Sequence, residues 1–151
     1  MTRKKEREQA FCLIFEKSFH SDSCDEILEL AKTVRDFELT DYIKTVFCGV
    51  FENLDTIDEI ISNHLENWKI DRVPKADLAL LRLAVYEMKY CSDIPVNVSV
   101  NEVVELAKTY YPKLINKSEN EKRSNIRVLA KDTDEFFRIL LERLEEDGLL
   151  K

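Results

Sequence analysis

Residues 68–108 read W-K-I-D-R-V-P-K-A-D-L-A-L-L-R-L-A-V-Y-E-M-K-Y-C-S-D-I-P-V-N-V-S-V-N-E-V-V-E-L-A-K, and their reading decides the fold. The stretch holds the chain's one tryptophan and two of its three prolines. Pro74 suits the first turn of a helix, where a missing N–H costs nothing. Leu78, Leu81, Leu83, Ala84, Val85 and Met88 then follow almost without interruption to about Tyr90, with Arg82 and Glu87 set among them. A helix this apolar is expected at the centre of a bundle. Asp93-Ile94-Pro95 stops it, because the residue before a proline avoids the helical region. Ser99 followed by Glu102 is a capping-box pattern, and it predicts a next helix carrying Val100, Val103, Val104, Leu106 and Ala107.

Working outward, the same helical period recurs on both sides. Thr2 caps a first helix over 2–19, with Phe11, Ile14, Phe15 and Ser18 on one face and Arg3, Lys4, Lys5 and Arg7 crowding its first two turns. Cations there oppose the helix macrodipole, so phosphate binding is a candidate reason for them, beside an ordinary solvated helix end. Ser23 caps a second helix, and Thr40 or Asp41 a third, inside which Gly49 implies a close helix crossing. A fourth carries Ile57, Ile60, Ile61, His64 and Leu65, with His64 read as a helix-border residue. After Lys108 the apolar period lapses until Ile126, and 111–131 reads as a surface excursion. A last helix carries Phe136, Phe137, Ile139, Leu140, Leu141 and Leu144 and ends at Gly148.

The totals agree with this pattern. Hydrophobic residues make up 44% and charged residues 35%, and two glycines and three prolines are too few for the turns of a sandwich or barrel. No apolar run is long enough to span a membrane and no signal-peptide stretch is seen, so a cytoplasmic location is expected. Cys12, Cys24, Cys48 and Cys91 are scattered without a C-x-x-C pair, and only His20 and His64 could join them; no metal site and no cofactor is expected. Glycine-rich phosphate loops, G-x-S-x-G and H-E-x-x-H are all absent, so the chain is read as a binding module and not as an enzyme. With 30 acidic against 23 basic side chains, any nucleic-acid site has to be a local patch.

The residues of the central stretch resemble the NusB family of bacterial transcription antitermination factors. Trp68 and Arg72 match its opening, and Leu80, Leu81, Arg82, Ala84, Tyr86 and Glu87 match its central helix. Asp93-Ile94-Pro95 follows, and then Val98, Val100, Asn101, Glu102, Val104, Glu105, Leu106, Ala107 and Lys108. Arg3, Lys4, Arg7, Glu8, Ala10, Phe11, Ile14 and Phe15 match the family's arginine-rich start, with Glu6 where alanine is usual. The C-terminal part departs: Arg138 and Ile139 stand where the family has Asn-Gly, and 111–131 looks like an insertion.

The resemblance implies an all-α, NusB-like bundle of about seven helices in a single domain, with an N-terminal subdomain over 1–66 and a C-terminal one over 67–151. It implies binding of boxA-type single-stranded RNA from ribosomal RNA leaders, together with the ribosomal protein NusE, within the antitermination complex of RNA polymerase. Carried over by position, Arg3, Lys4, Lys5, Arg7, Phe15 and Tyr110 are the RNA-binding candidates. Asp77, expected on the exposed side of the central helix, is the partner-binding candidate. Arg82 is expected in a structural ion pair, Tyr86 and Glu87 in holding the fold, Asn101 and Glu102 in capping, and Trp68 as a packing anchor. Two other readings stay open: a helical protein-interaction module that has lost RNA binding, and a stand-alone relative of the RNA-binding domain of ribosomal RNA cytosine methyltransferases. The apolar content is compatible with a homodimer.

Overall fold

The computed structural model describes residues 1–34, 38–65 and 69–115, with side chains up to Thr109. Six α-helices follow one another there: α1 (Arg3–Lys17), α2 (Cys24–Val34), α3 (Asp41–Glu52), α4 (Leu54–His64), α5 (Lys75–Tyr90) and α6 (Val96–Ile115). A single 3-10 turn, Ile70–Arg72, precedes α5. No strand occurs among the described residues. Trp68, the excursion beyond Ile115 and the last expected helix lie outside them.

Local chemistry starts three helices where the sequence predicts. Thr2 Oγ1 accepts from Lys5 N–H at 3.2 Å, and Thr40 Oγ1 accepts from Ile43 N–H at 3.4 Å. Ser23 Oγ accepts from Glu26 N–H at 3.2 Å while Glu26 reaches back to Ser23, a full capping box. Each cap satisfies a donor that the helix itself leaves unpaired.

The helix after Pro95 starts earlier than its sequence suggests. Val98 and Ser99 N–H both bond to the Pro95 carbonyl, so Val96 already lies in α6 and Ser99 is in its second turn. Proline's fixed φ suits a helix start, and here it wins over the Ser99–Glu102 pattern. Asn101 and Glu102 therefore stand inside α6 and do not cap it. The far end is also corrected, because α6 continues past Lys108 to Ile115. Pro112 removes one bond, to the Lys108 carbonyl, without ending the helix.

One core joins all six helices. Phe11 and Ile14 of α1, Ile43, Phe47 and Val50 of α3, Ile57 and Ile61 of α4, Leu80, Leu81 and Leu83 of α5, and Val103 and Val104 of α6 are buried in it. Ile27 and Ala31 add the inner face of α2. Gly49 marks a close approach of α3 to α5: a Cβ there would sit 2.5 Å from Tyr86 Cε2 and Cζ. Only a hydrogen at this position leaves room for the ring. Arg82 forks onto Asp58 with both N···O distances at 2.9 Å, tying α5 to α4. His64 Nδ1 lies 2.9 Å from the Ile60 carbonyl, so this histidine closes the last turn of α4.

The four cysteines are half-buried, and none is in a disulfide. Cys24 and Cys48 hydrogen-bond each other between α2 and α3, and burial raises both, Cys48 to about 11. No described helix is long and apolar enough to cross a membrane, and no cluster of three or more His, Cys, Asp or Glu that could hold a metal ion occurs among the described residues.

Candidate nucleic-acid interface

The basic start of α1 divides into two groups of cations. Arg7, Phe11 and Ile14 recur at four and three residues, so all three point into the core. Arg7 is 5% exposed, and its guanidinium grips Glu87 of α5, with Nε to Oε2 at 2.7 Å and the second nitrogen to Oε1 at 3.0 Å. Arg7 is thus corrected from a phosphate ligand to a structural residue. Burial by itself would lower its pKa, but the hydrogen bonds and charge of Glu87 outweigh burial and leave it raised.

Glu87 is fully buried, and the bundle supplies it with donors from three other helices. Beyond Arg7, Tyr42 Oη of α3 donates to Oε2 at 2.5 Å and Ser99 Oγ of α6 donates to Oε1 at 3.0 Å. Each carboxylate oxygen accepts two bonds, as a buried charge requires. Burial and the adjacent carboxylate push the Tyr42 hydroxyl far above its usual pKa. Tyr42 was not singled out by its sequence context, and Ser99 was expected only as a helix cap. They gain their roles only where α3 and α6 meet α5.

Arg3, Lys4 and Lys5 form the other group, and all are exposed. Arg3 lies 4.3 Å over the Tyr42 ring and 3.3 Å from Glu6 Oε1. Glu6, the departure from alanine, also accepts from the Thr40 hydroxyl that caps α3. Lys5 Nζ stands 3.6 Å from Glu8. Lys4 borders a cleft between α1 and α6 that is lined by Arg7, Glu8, Glu102, Leu106 and Thr109 as well. These cations surround a helix N-terminus, whose free N–H groups favour anions.

Phe15 lies three turns along α1 from Lys4, on the same stripe and about 16 Å away. It is half-buried, its ring parallel to Phe11 at 6.0 Å and edge-on to Phe19 at 5.1 Å. Tyr110 follows Thr109 directly on α6, at the end of the cleft; its side chain lies outside the described residues. Cations, cleft and the Tyr110 position thus share one edge of the bundle, with Phe15 further along it.

Asp77 belongs to a different place. It is 1% exposed in the first turn of α5, which corrects the expectation of an outward carboxylate. Its surroundings explain this: Ala76, Ala79, Leu80, Leu81, Leu83, Ala84 and Val85 are all buried, so α5 has almost no outer face. A carboxylate in a first turn is also favoured by the helix dipole.

Fold and edge together define an all-helical bundle whose first helix displays an exposed cluster of cations beside a cleft with charged and apolar walls. The model of the NusB family matches residues 4–117. A transcription antitermination protein NusB from Bacillus subtilis (strain 168) is 44% identical over 128 residues, covering 84% of this chain and 95% of that protein. One from Clostridium botulinum is 43% identical over 126 residues, covering 73% and 88%. The solved structure of T. maritima NusB superposes with a TM-score of 0.74 at 27% identity, covering 97% of this chain and 92% of the other. A chain from the crystal structure of a plectonemic RNA supercoil shares the fold at a TM-score of 0.72 and 20% identity, covering 97% and 96%. The chain belongs to the NusB family.

Proposed function

We propose that this protein is a transcription antitermination factor that binds boxA-type RNA of ribosomal RNA leaders together with the ribosomal protein NusE, in the antitermination complex of RNA polymerase. The reading rests on membership of a family whose relatives carry the antitermination name. The observation that carries it in this chain is the exposed set Arg3, Lys4 and Lys5 at the head of α1. Phosphates of a single strand would meet these cations and the N–H groups of the first turn. Bases would stack on Tyr110 and on the exposed part of Phe15, since every base offers a π-face to an aromatic ring. Asp77 is the candidate for the contact with NusE, although it is 1% exposed in the chain alone.

Titration of a boxA-like RNA across a salt series, with and without NusE, tests this reading. Each phosphate contact to a single strand contributes about −0.7 to the slope of log affinity against log salt. Replacing Arg3, Lys4 and Lys5 by glutamine together, with Arg7 left intact, is expected to flatten the slope by about 2. An unchanged slope removes this edge from RNA binding. If no RNA binds even with the partner present, the chain is a protein-interaction module of the same fold.

A further inference from the structure

The cleft beside the exposed cations has a charge balance that a phosphate site would not have. Its walls are Lys4, Arg7 and Glu8 of α1 and Glu102, Leu106 and Thr109 of α6. The charge of Arg7 is matched by Glu87 and that of Glu8 by Lys5 at the rim, which leaves the Lys4 ammonium against the Glu102 carboxylate and no net positive charge. A phosphate inside the cleft would meet no net attraction, whereas Arg3 and Lys4 attract phosphate at its rim. Glu8 faces Lys5 at 3.6 Å, so Glu102 is the acceptor more open to a ligand. Thr109 Oγ1 donates to the Glu105 carbonyl at 2.9 Å, which leaves the hydroxyl only acceptor capacity toward a ligand. Leu106, only 8% exposed, gives the cleft an apolar wall.

Acceptors thus outnumber donors along an apolar wall, with cations at the rim. We infer that this cleft holds one unstacked RNA base bearing an exocyclic amine, with Glu102 accepting from the amine and Lys4 donating to the neighbouring ring acceptor or carbonyl. Cytosine, adenine and guanine carry such an amine and uracil does not. Carboxylates read base amines in this way, and single-stranded RNA presents these edges freely. A basic side chain of a protein would also satisfy Glu102, but Arg3, Lys4 and Lys5 would repel the rest of its surface. The inference rests on the RNA-binding reading above and adds base preference to it.

Affinities of the full chain for 12-nucleotide oligo(C), oligo(A) and oligo(U) at one salt concentration test it. The intact protein is expected to bind oligo(C) or oligo(A) about tenfold more tightly than oligo(U). Glu102→Ala is expected to bring that ratio close to one while leaving the salt slope unchanged. Thr109→Val narrows the ratio less, and its thermal midpoint together with that of Glu102→Ala reports that the fold is kept. A uniform gain in affinity for all three strands in Glu102→Ala, with the ratio intact, overturns the inference: Glu102 would then only repel phosphate. Loss of binding to a lysine oligopeptide with no change in base ratio overturns it in favour of a protein side chain. RNA binding with a normal salt slope and no preference for amine-bearing bases defeats the inference alone. Absence of binding to every strand defeats the RNA-binding reading and the inference with it.

Discussion

Two arginine–carboxylate pairs brace α5, and they differ in burial far more than in geometry. Arg7 meets Glu87 at 2.7 and 3.0 Å, and Arg82 meets Asp58 at 2.9 and 2.9 Å. Side-chain exposure is 6% and 0% in the first pair but 12% and 26% in the second. The Arg7 pair also draws in Tyr42 and Ser99, so four helices converge on one carboxylate, whereas the Arg82 pair links two neighbours. A fork of given geometry is worth little where water reaches it, and removing one partner is costly where water does not. What distinguishes them is the position of each pair in the bundle.

Arg7→Met is the strongest way to break that comparison. It leaves Glu87 charged, buried and short of two donors, with an expected loss of about 3–5 kcal/mol in urea denaturation. Arg82→Met leaves Asp58 able to reach water and is expected to cost about 1 kcal/mol. Equal losses would mean that burial does not separate the pairs. Gly49→Ala probes the same junction without touching charge. Its methyl would push against Tyr86 Cε2 and Cζ, with an expected loss of about 1–3 kcal/mol. A loss below the error of the measurement would show that the ring gives way.

Tyr42 sharpens the comparison through pH. Its hydroxyl is held neutral by burial and by Glu87, so its folded pKa lies far above the unfolded value of about 10. An acid raised in this way contributes stability that is complete below pH 10 and lost as pH climbs toward the folded value. Denaturation midpoints should therefore fall above pH 10. Tyr42→Phe should weaken that fall, at a cost of about 1.5–3 kcal/mol at neutral pH for the lost bond to a carboxylate. The Arg82 pair has no counterpart, and Arg82→Met should leave the alkaline fall unchanged.

The parts of this molecule legible in sequence are those set by neighbours in the chain. Thr2, Ser23 and Thr40 cap helices through residues three positions on, and the apolar period of α5 alone marks it as central. Gly49 was informative because a glycine inside a helical pattern needs a reason. Arg82 could be read as a paired charge from its apolar neighbours. Arg7 shows where such reading stops, because its partner lies 80 residues away and its own neighbours are basic. Ser99 and Asp77 were misplaced for a related reason: a local rule favoured a cap or an outer face, and Pro95 and the all-round burial of α5 overrode it. Glu102 and Thr109 form a cleft with Lys4 only because α6 lies beside the head of α1. No spacing within either helix encodes that meeting. Family resemblance named the edge, and geometry then divided its cations into buried and exposed.

The smallest expected effect on stability is the one that isolates that division. Lys4 and Lys5 are exposed in the first turn of α1, Lys4 at the rim of the cleft; the Lys5 side chain is 53% exposed and 3.6 Å from Glu8. Their joint replacement by glutamine should move folding stability by no more than about 0.5 kcal/mol, as surface changes do. The same double change should flatten the salt dependence of RNA binding by about 1.4 in slope, two phosphate contacts' worth. Arg7→Met should do the reverse, lowering stability steeply while leaving the slope per folded molecule unchanged. Cations two and three residues apart on one helix would then separate cleanly into one that builds the bundle and two that meet the polyanion. Should the lysine pair instead cost several kcal/mol, or leave the slope untouched, the exposed edge of α1 is another part of the scaffold, and the search for the RNA surface moves beyond Thr109.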